Sequence, residues 1–167
     1  VVSPQDASMA TSLGADFIGM IMWPKAKRSV ATETASQIAA VARESGAQAV
    51  GVFVDEDATT IAQRCADAGI DIAQLHGDGA RASLPQLPES LKVIYVMHAN
   101  GEGEIQTVAP SRAVDWVLVD GMKGGSGETF SWTSLRVPLD AATQGWLLAG
   151  GLVPGNVAEA IQTARPT

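Results

Sequence analysis

The stretch Trp116-Val-Leu-Val-Asp-Gly-Met-Lys-Gly-Gly-Ser-Gly-Glu-Thr-Phe130 joins a short apolar strand to a glycine-rich loop, with one carboxylate, Asp120, at the junction. The apolar residues predict a buried strand, which sets the direction of the Asp120 side chain. Glycines have no Cβ, so the backbone N–H groups of such a loop can approach a ligand closely. The loop glycines are Gly121, Gly124, Gly125 and Gly127. The pattern is typical of an α/β protein that presents an acid to a phosphorylated ligand.

A second junction of this kind is Trp146-Leu-Leu-Ala-Gly-Gly-Leu-Val-Pro-Gly-Asn-Val157, where an apolar strand ends in glycines before a predicted helix. Gly150 and Gly151 are therefore expected to present N–H groups to a phosphate. At the first junction, the Asp120 carboxylate could simply cap the loop that follows its strand. The glycines beside it favour a role as a general acid or base instead. Asp120 is the candidate catalytic residue.

Short apolar runs alternate along the chain with amphipathic stretches, which predicts parallel βα units. The predicted strands are Phe17 to Met22, Ala49 to Val54, Ile72 to Leu75, Val93 to Met97, Trp116 to Val119 and Trp146 to Ala149. The predicted helices are Pro4 to Leu13, Thr32 to Glu44, Ala58 to Ala68, Ala80 to Leu84, Gly103 to Val108 and Pro154 to Ala164, with a short helical turn at Ser131 to Leu135. An open doubly wound sheet and a (β/α)₈ barrel that lacks part of itself both fit this order.

Composition narrows the function classes. The chain has 167 residues, 46% hydrophobic and 17% charged, which predicts one domain over residues 1–167. A net charge of -7 argues against a nucleic-acid surface. The single cysteine, Cys65, excludes an intramolecular disulfide and is expected to pack inside a helix. The sequence indicates neither a membrane span nor a signal peptide. His76 and His98 do not indicate a metal site.

Both candidate architectures bind ligands at the carboxyl ends of their strands. Arg28 follows the first predicted strand in Pro24-Lys-Ala-Lys-Arg28, and its guanidinium suits a carboxylate because it can bond both oxygens. A solvated basic loop is the alternative. His76 follows the third strand and is expected to support a ligand by packing or hydrogen bonding.

Six ordered motifs resemble the phosphoribosylanthranilate isomerase family. The segments Val93-Ile-Tyr-Val96 and Gly145-Trp-Leu-Leu-Ala-Gly150 resemble its plant and algal branch more than its bacterial one. The motifs are Gly14-Ala-Asp-Phe-Ile-Gly19, Pro24-Lys-Ala-Lys-Arg28, Val50-Gly-Val-Phe-Val54, Gln74-Leu-His-Gly-Asp78, Val119-Asp120 with Gly124-Gly-Ser-Gly127, and Leu148-Ala-Gly-Gly-Leu152 with Asn156-Val157. The resemblance implies a parallel (β/α)₈ barrel, incomplete here with about six βα units.

The resemblance also implies an activity, an Amadori rearrangement in tryptophan biosynthesis that turns N-(5'-phosphoribosyl)anthranilate into 1-(2-carboxyphenylamino)-1-deoxyribulose 5-phosphate. By this resemblance Asp120 is the general acid, Arg28 faces the anthranilate carboxylate, and Gly150 with Gly151 forms part of the phosphate site. No metal or organic cofactor is implied, and the partner is a small phosphosugar rather than nucleic acid or membrane. The expected setting is intracellular and soluble, in the plastid stroma of a plant or alga and otherwise in the cytoplasm. Oligomeric state is left open.

The chain departs from the family pattern at three points. The family's base is a cysteine in a Lys-Ile-Cys-Gly motif at the end of the first strand, and neither that motif nor the phosphate loop of the eighth strand occurs in residues 1–167. We therefore expect one barrel domain, truncated at both ends. Glu128 stands where the family has lysine. The alternatives are a non-catalytic fragment or degenerate paralogue, and another phosphate-binding barrel enzyme.

Overall fold

The computed structural model describes residues 1–121 and 129–167. The glycine-rich loop expected after Asp120, with Gly124, Gly125, Gly127 and Glu128, lies outside the described residues. The chain divides into two compact units, Val1–Val93 and Ile94–Thr167. The organisation as a single domain remains a prediction.

The first unit alternates helices and strands. Its elements are α1 (Pro4–Ser12), β1 (Phe17–Ile21), α2 (Thr32–Glu44), β2 (Gln48–Phe53), α3 (Ala58–Ala68), β3 (Ile72–Leu75), α4 (Asp78–Ala82) and a 3₁₀ turn, Leu84–Gln86. Strands β1 and β2 pair in parallel, as do β2 and β3. The predicted α2, α3 and β3 are confirmed at both ends, and the helix predicted at Ala80 begins instead at Asp78.

Local sequence signals explain where these helices begin and end. The Ser3 hydroxyl accepts the Asp6 N–H at 3.1 Å, and Pro4 occupies the first turn of α1. The Asp57 carboxylate accepts the Thr60 N–H at 2.8 Å at the start of α3. Because this bond favours the charged carboxylate, it lowers the pKa of Asp57.

Strand β1 buries one face. Ile18 and Met20 are each 1% exposed, whereas Gly19, which points to the other face, is exposed and Ile21 is half-buried. Helices α1 and α2 pack on this strand. The continuous apolar sequence of β1 therefore does not mean that both faces of the strand are buried.

The second unit contains three strands and a helix. They are β4 (Lys92–Ala99), which begins two residues before the unit boundary, β5 (Val114–Gly121), β6 (Ala142–Leu148) and α5 (Val157–Ala164), with a 3₁₀ turn at Leu139–Ala141. Strand β5 pairs in parallel with β4 on one side and β6 on the other. Buried Val117 and Val119 lie at its centre. This pairing aligns the carboxyl ends of the three strands.

The helix predicted from Gly103 to Val108 is wrong, because the chain turns back after β4 instead. The side-chain oxygen of Asn100, Oδ1, accepts hydrogen bonds from the N–H groups of Glu102 and Glu104, each at 3.0 Å. Gly103 has a φ of +85°, and Ala99 then forms an antiparallel bridge to Ile105. Asparagine and glycine favour such a turn over a helix.

Two smaller corrections concern the end of the chain. The helical turn predicted at Ser131 to Leu135 is wrong, since the segment has bends at residues 132–134 and no helix. The last helix begins at Val157 rather than Pro154. In the part of the chain that the structure describes, no helix combines the length and the apolar composition that crossing a membrane requires.

Candidate active site

Asp120 lies next to the last residue of β5 and is only 8% exposed. Its Oδ1 atom accepts the N–H of Gly121 at 2.8 Å. The buried neighbours Val117 and Val119 hold the strand, so the carboxyl group has a defined direction at the strand end. A carboxyl group that is buried at this end of a parallel strand is a candidate for proton transfer.

Gly150 packs directly on this carboxyl group. The register of β5 with β6 continues as the Ala149 N–H donates to the Val119 carbonyl at 2.8 Å. A Cβ atom on Gly150 would lie 2.6 Å from Asp120 Oδ1 and 2.8 Å from the Gly121 nitrogen, and Gly150 has a φ of +88°. Both the space and the backbone conformation therefore require glycine.

The side chain of Asn156 forms two hydrogen bonds within the loop that follows β6. Asn156 Oδ1 accepts the Val153 N–H at 2.8 Å, and Asn156 Nδ2 donates to the Gly151 carbonyl at 3.0 Å. Gly151 has a φ of +66°. Within the described residues, the backbone N–H groups of Gly150 and Gly151 have no hydrogen-bond acceptor. Free N–H groups ahead of a helix are suited to an anion.

His98 is a site residue that the sequence analysis did not assign. It stands opposite Asp120 in the parallel register of β4 and β5, and a ring nitrogen lies within 4.8 Å of an Asp120 carboxylate oxygen. Its backbone is held on the far side by the turn after β4, where its N–H donates to Thr107 Oγ1 at 2.9 Å. The strand-end position of His98 was the available signal, but the pairing of β4 with β5 was needed to use it.

Arg28 lies in the first unit, in the loop after β1. The loop returns to the strand, since the Val30 N–H donates to the Ile21 carbonyl at 3.0 Å. Arg28 lines a cavity of about 480 Å³ together with Gly19 of β1 and Gln74 of β3. A Cβ on Gly19 would meet no atom within 4 Å, so this part of the cavity is open.

Two other side chains of this loop, Trp23 and Lys25, contact Asp55. Trp23 Nε1 donates to Asp55 Oδ2 at 3.1 Å, and Lys25 Nζ lies 3.3 Å from the same oxygen. The Lys25 ammonium is also 5.6 Å from the centre of the Trp23 ring. Lys25 and Asp55 are both exposed, so this ion pair contributes little stability. Lys25 is thus less available to an external anion than a lysine without such contacts would be.

His76 follows β3 directly and is half-buried. Its N–H donates to the Phe53 carbonyl at 2.9 Å, and its carbonyl accepts a bond from Arg81 Nη1 at 2.6 Å. These bonds hold the backbone at the end of the strand. The supporting role of its imidazole toward a ligand stays a prediction.

Cys65 is not suited to proton abstraction. It lies in α3, is 3% exposed, and burial raises the pKa of its thiol to about 12. A thiol in this environment stays protonated near neutral pH. The expectation that Cys65 is a packing residue within a helix is confirmed.

Comparisons with known proteins agree on one family. The family model for N-(5'phosphoribosyl)anthranilate (PRA) isomerase matches residues 1–167. The chain is 44% identical over 169 residues to N-(5'-phosphoribosyl)anthranilate isomerase 1, chloroplastic, of Arabidopsis thaliana, covering 99% of this chain and 62% of that protein. The chain thus spans less than two thirds of the plant relative's length.

Solved structures show the same fold. The crystal structure of phosphoribosyl anthranilate isomerase from Thermotoga maritima matches with a TM-score of 0.84 and 30% identity, over 99% of this chain and 81% of that one. A related structure, solved in complex with reduced 1-(o-carboxyphenylamino)-1-deoxyribulose 5-phosphate, matches with a TM-score of 0.82 and 27% identity, over 99% and 80%. The predicted fold class, a parallel α/β barrel that is incomplete in this chain, is confirmed.

Proposed function

Because the chain belongs to the N-(5'-phosphoribosyl)anthranilate isomerase family, we propose that its protein catalyses the isomerisation of N-(5'-phosphoribosyl)anthranilate to 1-(2-carboxyphenylamino)-1-deoxyribulose 5-phosphate. The observation that carries the proposal is the buried Asp120 carboxyl with Gly150 packed on it. This arrangement joins a proton donor to a loop that suits a phosphate.

Asp120 is the general acid in this proposal. The rearrangement begins when the ribose ring oxygen takes a proton and its bond to C1 breaks, which leaves an iminium at C1. Loss of the C2 proton then gives an enolamine, and its tautomerisation yields the ketose. A carboxyl group with a fixed direction and little contact with water is suited to the first step.

Arg28 is the proposed contact for the anthranilate carboxylate. It borders an open cavity whose wall includes the apolar side chains of Ile21 and Val52. A guanidinium beside apolar wall residues suits a ligand that carries a carboxylate on an aromatic ring. A relative was crystallised with a ligand of that description, which supports the assignment.

Gly150 and Gly151 are proposed to receive the 5'-phosphate through their backbone N–H groups. Both are glycines with positive φ values, and because glycine has no Cβ, a ligand can approach their N–H groups closely. His76 is proposed to support the bound substrate near its strand end. The reaction consists of one ring opening and proton transfers within the substrate, so we propose that it needs no metal or organic cofactor.

The base that removes the C2 proton is not assigned within residues 1–167, since the buried thiol of Cys65 stays protonated and cannot take up that proton.

We further propose that residues 1–167 form part of one barrel domain. If the source is a plant or alga, the plastid is the proposed compartment, because the Arabidopsis relatives are chloroplastic by name. In any other source it is the cytoplasm.

The test is an activity assay on the protein expressed from its whole gene, with whatever sequence lies on either side of residues 1–167. We expect the fluorescence of N-(5'-phosphoribosyl)anthranilate to decline in the presence of the protein, and a metal chelator to leave the rate unchanged. Cells that lack the isomerase cannot grow without added tryptophan, and we expect expression of this protein to restore their growth. A protein that folds but gives neither result is a non-catalytic relative or acts on another substrate, and the proposal is then wrong.

A further inference from the structure

Asn156 makes both of its side-chain hydrogen bonds inside the loop that follows β6. Its Oδ1 accepts the Val153 N–H at 2.8 Å and its Nδ2 donates to the Gly151 carbonyl at 3.0 Å. The side chain therefore joins the glycine end of the loop to the turn that leads into α5. An asparagine amide can do this because it carries a donor and an acceptor on one rigid plane.

The loop needs such a tie because its glycines are intrinsically mobile. Gly150 and Gly151 both adopt positive φ values, +88° and +66°. Glycine visits many other conformations at little cost, so holding two in succession carries a large entropic penalty. Without the Asn156 bonds, the loop would populate forms in which these N–H groups point elsewhere.

We propose that Asn156 is a positioning residue that holds the Gly150 and Gly151 N–H groups in the orientation that receives the substrate's phosphate. The inference rests on the proposed function and adds a residue to it. Asn156 acts through the loop, because both polar ends of its side chain are already occupied by loop backbone. The phosphate is bound by N–H groups that need no change of conformation, which lowers the cost of binding.

The chain offers a matched control in its other asparagine. Asn100 also ties a loop, accepting the N–H groups of Glu102 and Glu104 at 3.0 Å each, in the turn after β4. Asn156→Ala and Asn100→Ala therefore each remove two side-chain bonds to loop backbone. Only the first change affects the loop of Gly150 and Gly151, in which Gly150 packs on Asp120.

The experiment measures inhibition of the isomerase by inorganic phosphate and by anthranilate, which are the two ends of the substrate. Asn156→Ala should weaken inhibition by phosphate about tenfold, the effect expected for two lost hydrogen bonds of ordinary strength. Inhibition by anthranilate should stay within about twofold of the wild type. Asn100→Ala should leave the inhibition constants for phosphate and for anthranilate unchanged. A general loosening of the fold would instead weaken the binding of both ligands alike.

Asn156→Asp is the second variant, for use if the alanine protein does not fold. It keeps an acceptor for the Val153 N–H, loses the donor to Gly151 and adds a negative charge, so phosphate should bind at least as weakly as to the alanine variant. Calorimetric titration with inorganic phosphate repeats the comparison without turnover. A wild type that binds phosphate but does not isomerise would refute the proposed function and leave this comparison intact. Equal phosphate affinity in wild type and either Asn156 variant, or no phosphate binding by an active wild type, would overturn the role of Asn156.

Discussion

Gly150 and Asp120 are in such close contact that a single added carbon atom would displace the candidate acid. A Cβ on Gly150 would lie 2.6 Å from Asp120 Oδ1, well inside the contact distance of carbon and oxygen. The proposed phosphate loop and the proposed acid are therefore one structural unit. A change in the loop is expected to alter both binding and proton transfer.

The first prediction follows from that contact. Gly150→Ala should lower the free energy of unfolding by at least about 1 kcal/mol, because alanine is strained at this φ and its Cβ overlaps the carboxylate. Turnover should fall with it, as Asp120 must move. Denaturant unfolding and steady-state kinetics measure the two effects. Gly155→Ala is the control in the same loop, since its Cβ would meet nothing within 4 Å and its φ is not positive. Equal behaviour of the two variants would contradict the prediction.

The second prediction concerns proton donation by Asp120. Asp120→Asn keeps the shape of the side chain but removes the transferable proton, so kcat should fall about 10²- to 10⁴-fold with little change in KM. Asp115→Asn is the control, because Asp115 lies near the opposite end of β5. It should retain the wild-type kcat. An Asp120→Asn enzyme with near wild-type turnover would remove the proposed acid.

The third prediction separates binding from chemistry at Arg28. Arg28→Ala should raise KM about 10- to 100-fold and change kcat little, because a carboxylate contact is made equally in the ground state and the transition state. Lys27→Ala removes a neighbouring exposed cation from the same loop and should have a small effect. Steady-state kinetics of both variants provide the test. A similar rise in KM for both would mean that the loop acts only through its overall charge.

The fourth prediction is a pH dependence of stability from Cys65. Burial raises the pKa of the thiol from 9.0 to about 12, so the unfolded chain ionises first as the pH rises. The contribution of Cys65 to stability is complete below pH 9 and should fall by about 1.4 kcal/mol per pH unit between 9 and 12. Urea unfolding of the wild type and of Cys65→Ala gives this slope as a difference. Parallel curves for the two proteins would show that the thiol is not buried in solution.

The sequence predicted elements well wherever one local pattern governed them. Helices Thr32–Glu44 and Ala58–Ala68 have an apolar face at helical spacing, and α3 has an acidic cap, Asp57, and a terminal Gly69 in left-handed conformation. Both were predicted to the residue. The segment Gly103 to Val108 was predicted wrongly, because its turn depends on the bonds from the Asn100 side chain, which helical spacing alone does not reveal.

The strand-end position of Asp120 and the glycines after β6 could be predicted from residue order alone, since both follow from a single strand and its loop. His98 and Asn156 could not be assigned in this way. His98 acquires its place from the register of β4 against β5, and Asn156 from bonds to residues three and five positions earlier in a loop of non-repeating conformation. The sequence by itself thus determined the βα order and the strand-end positions of Asp120 and the glycines. Only the tertiary structure decided which groups meet the Asp120 carboxyl, because hydrogen bonding between strands and the packing of Gly150 on Asp120 join residues that are distant along the chain.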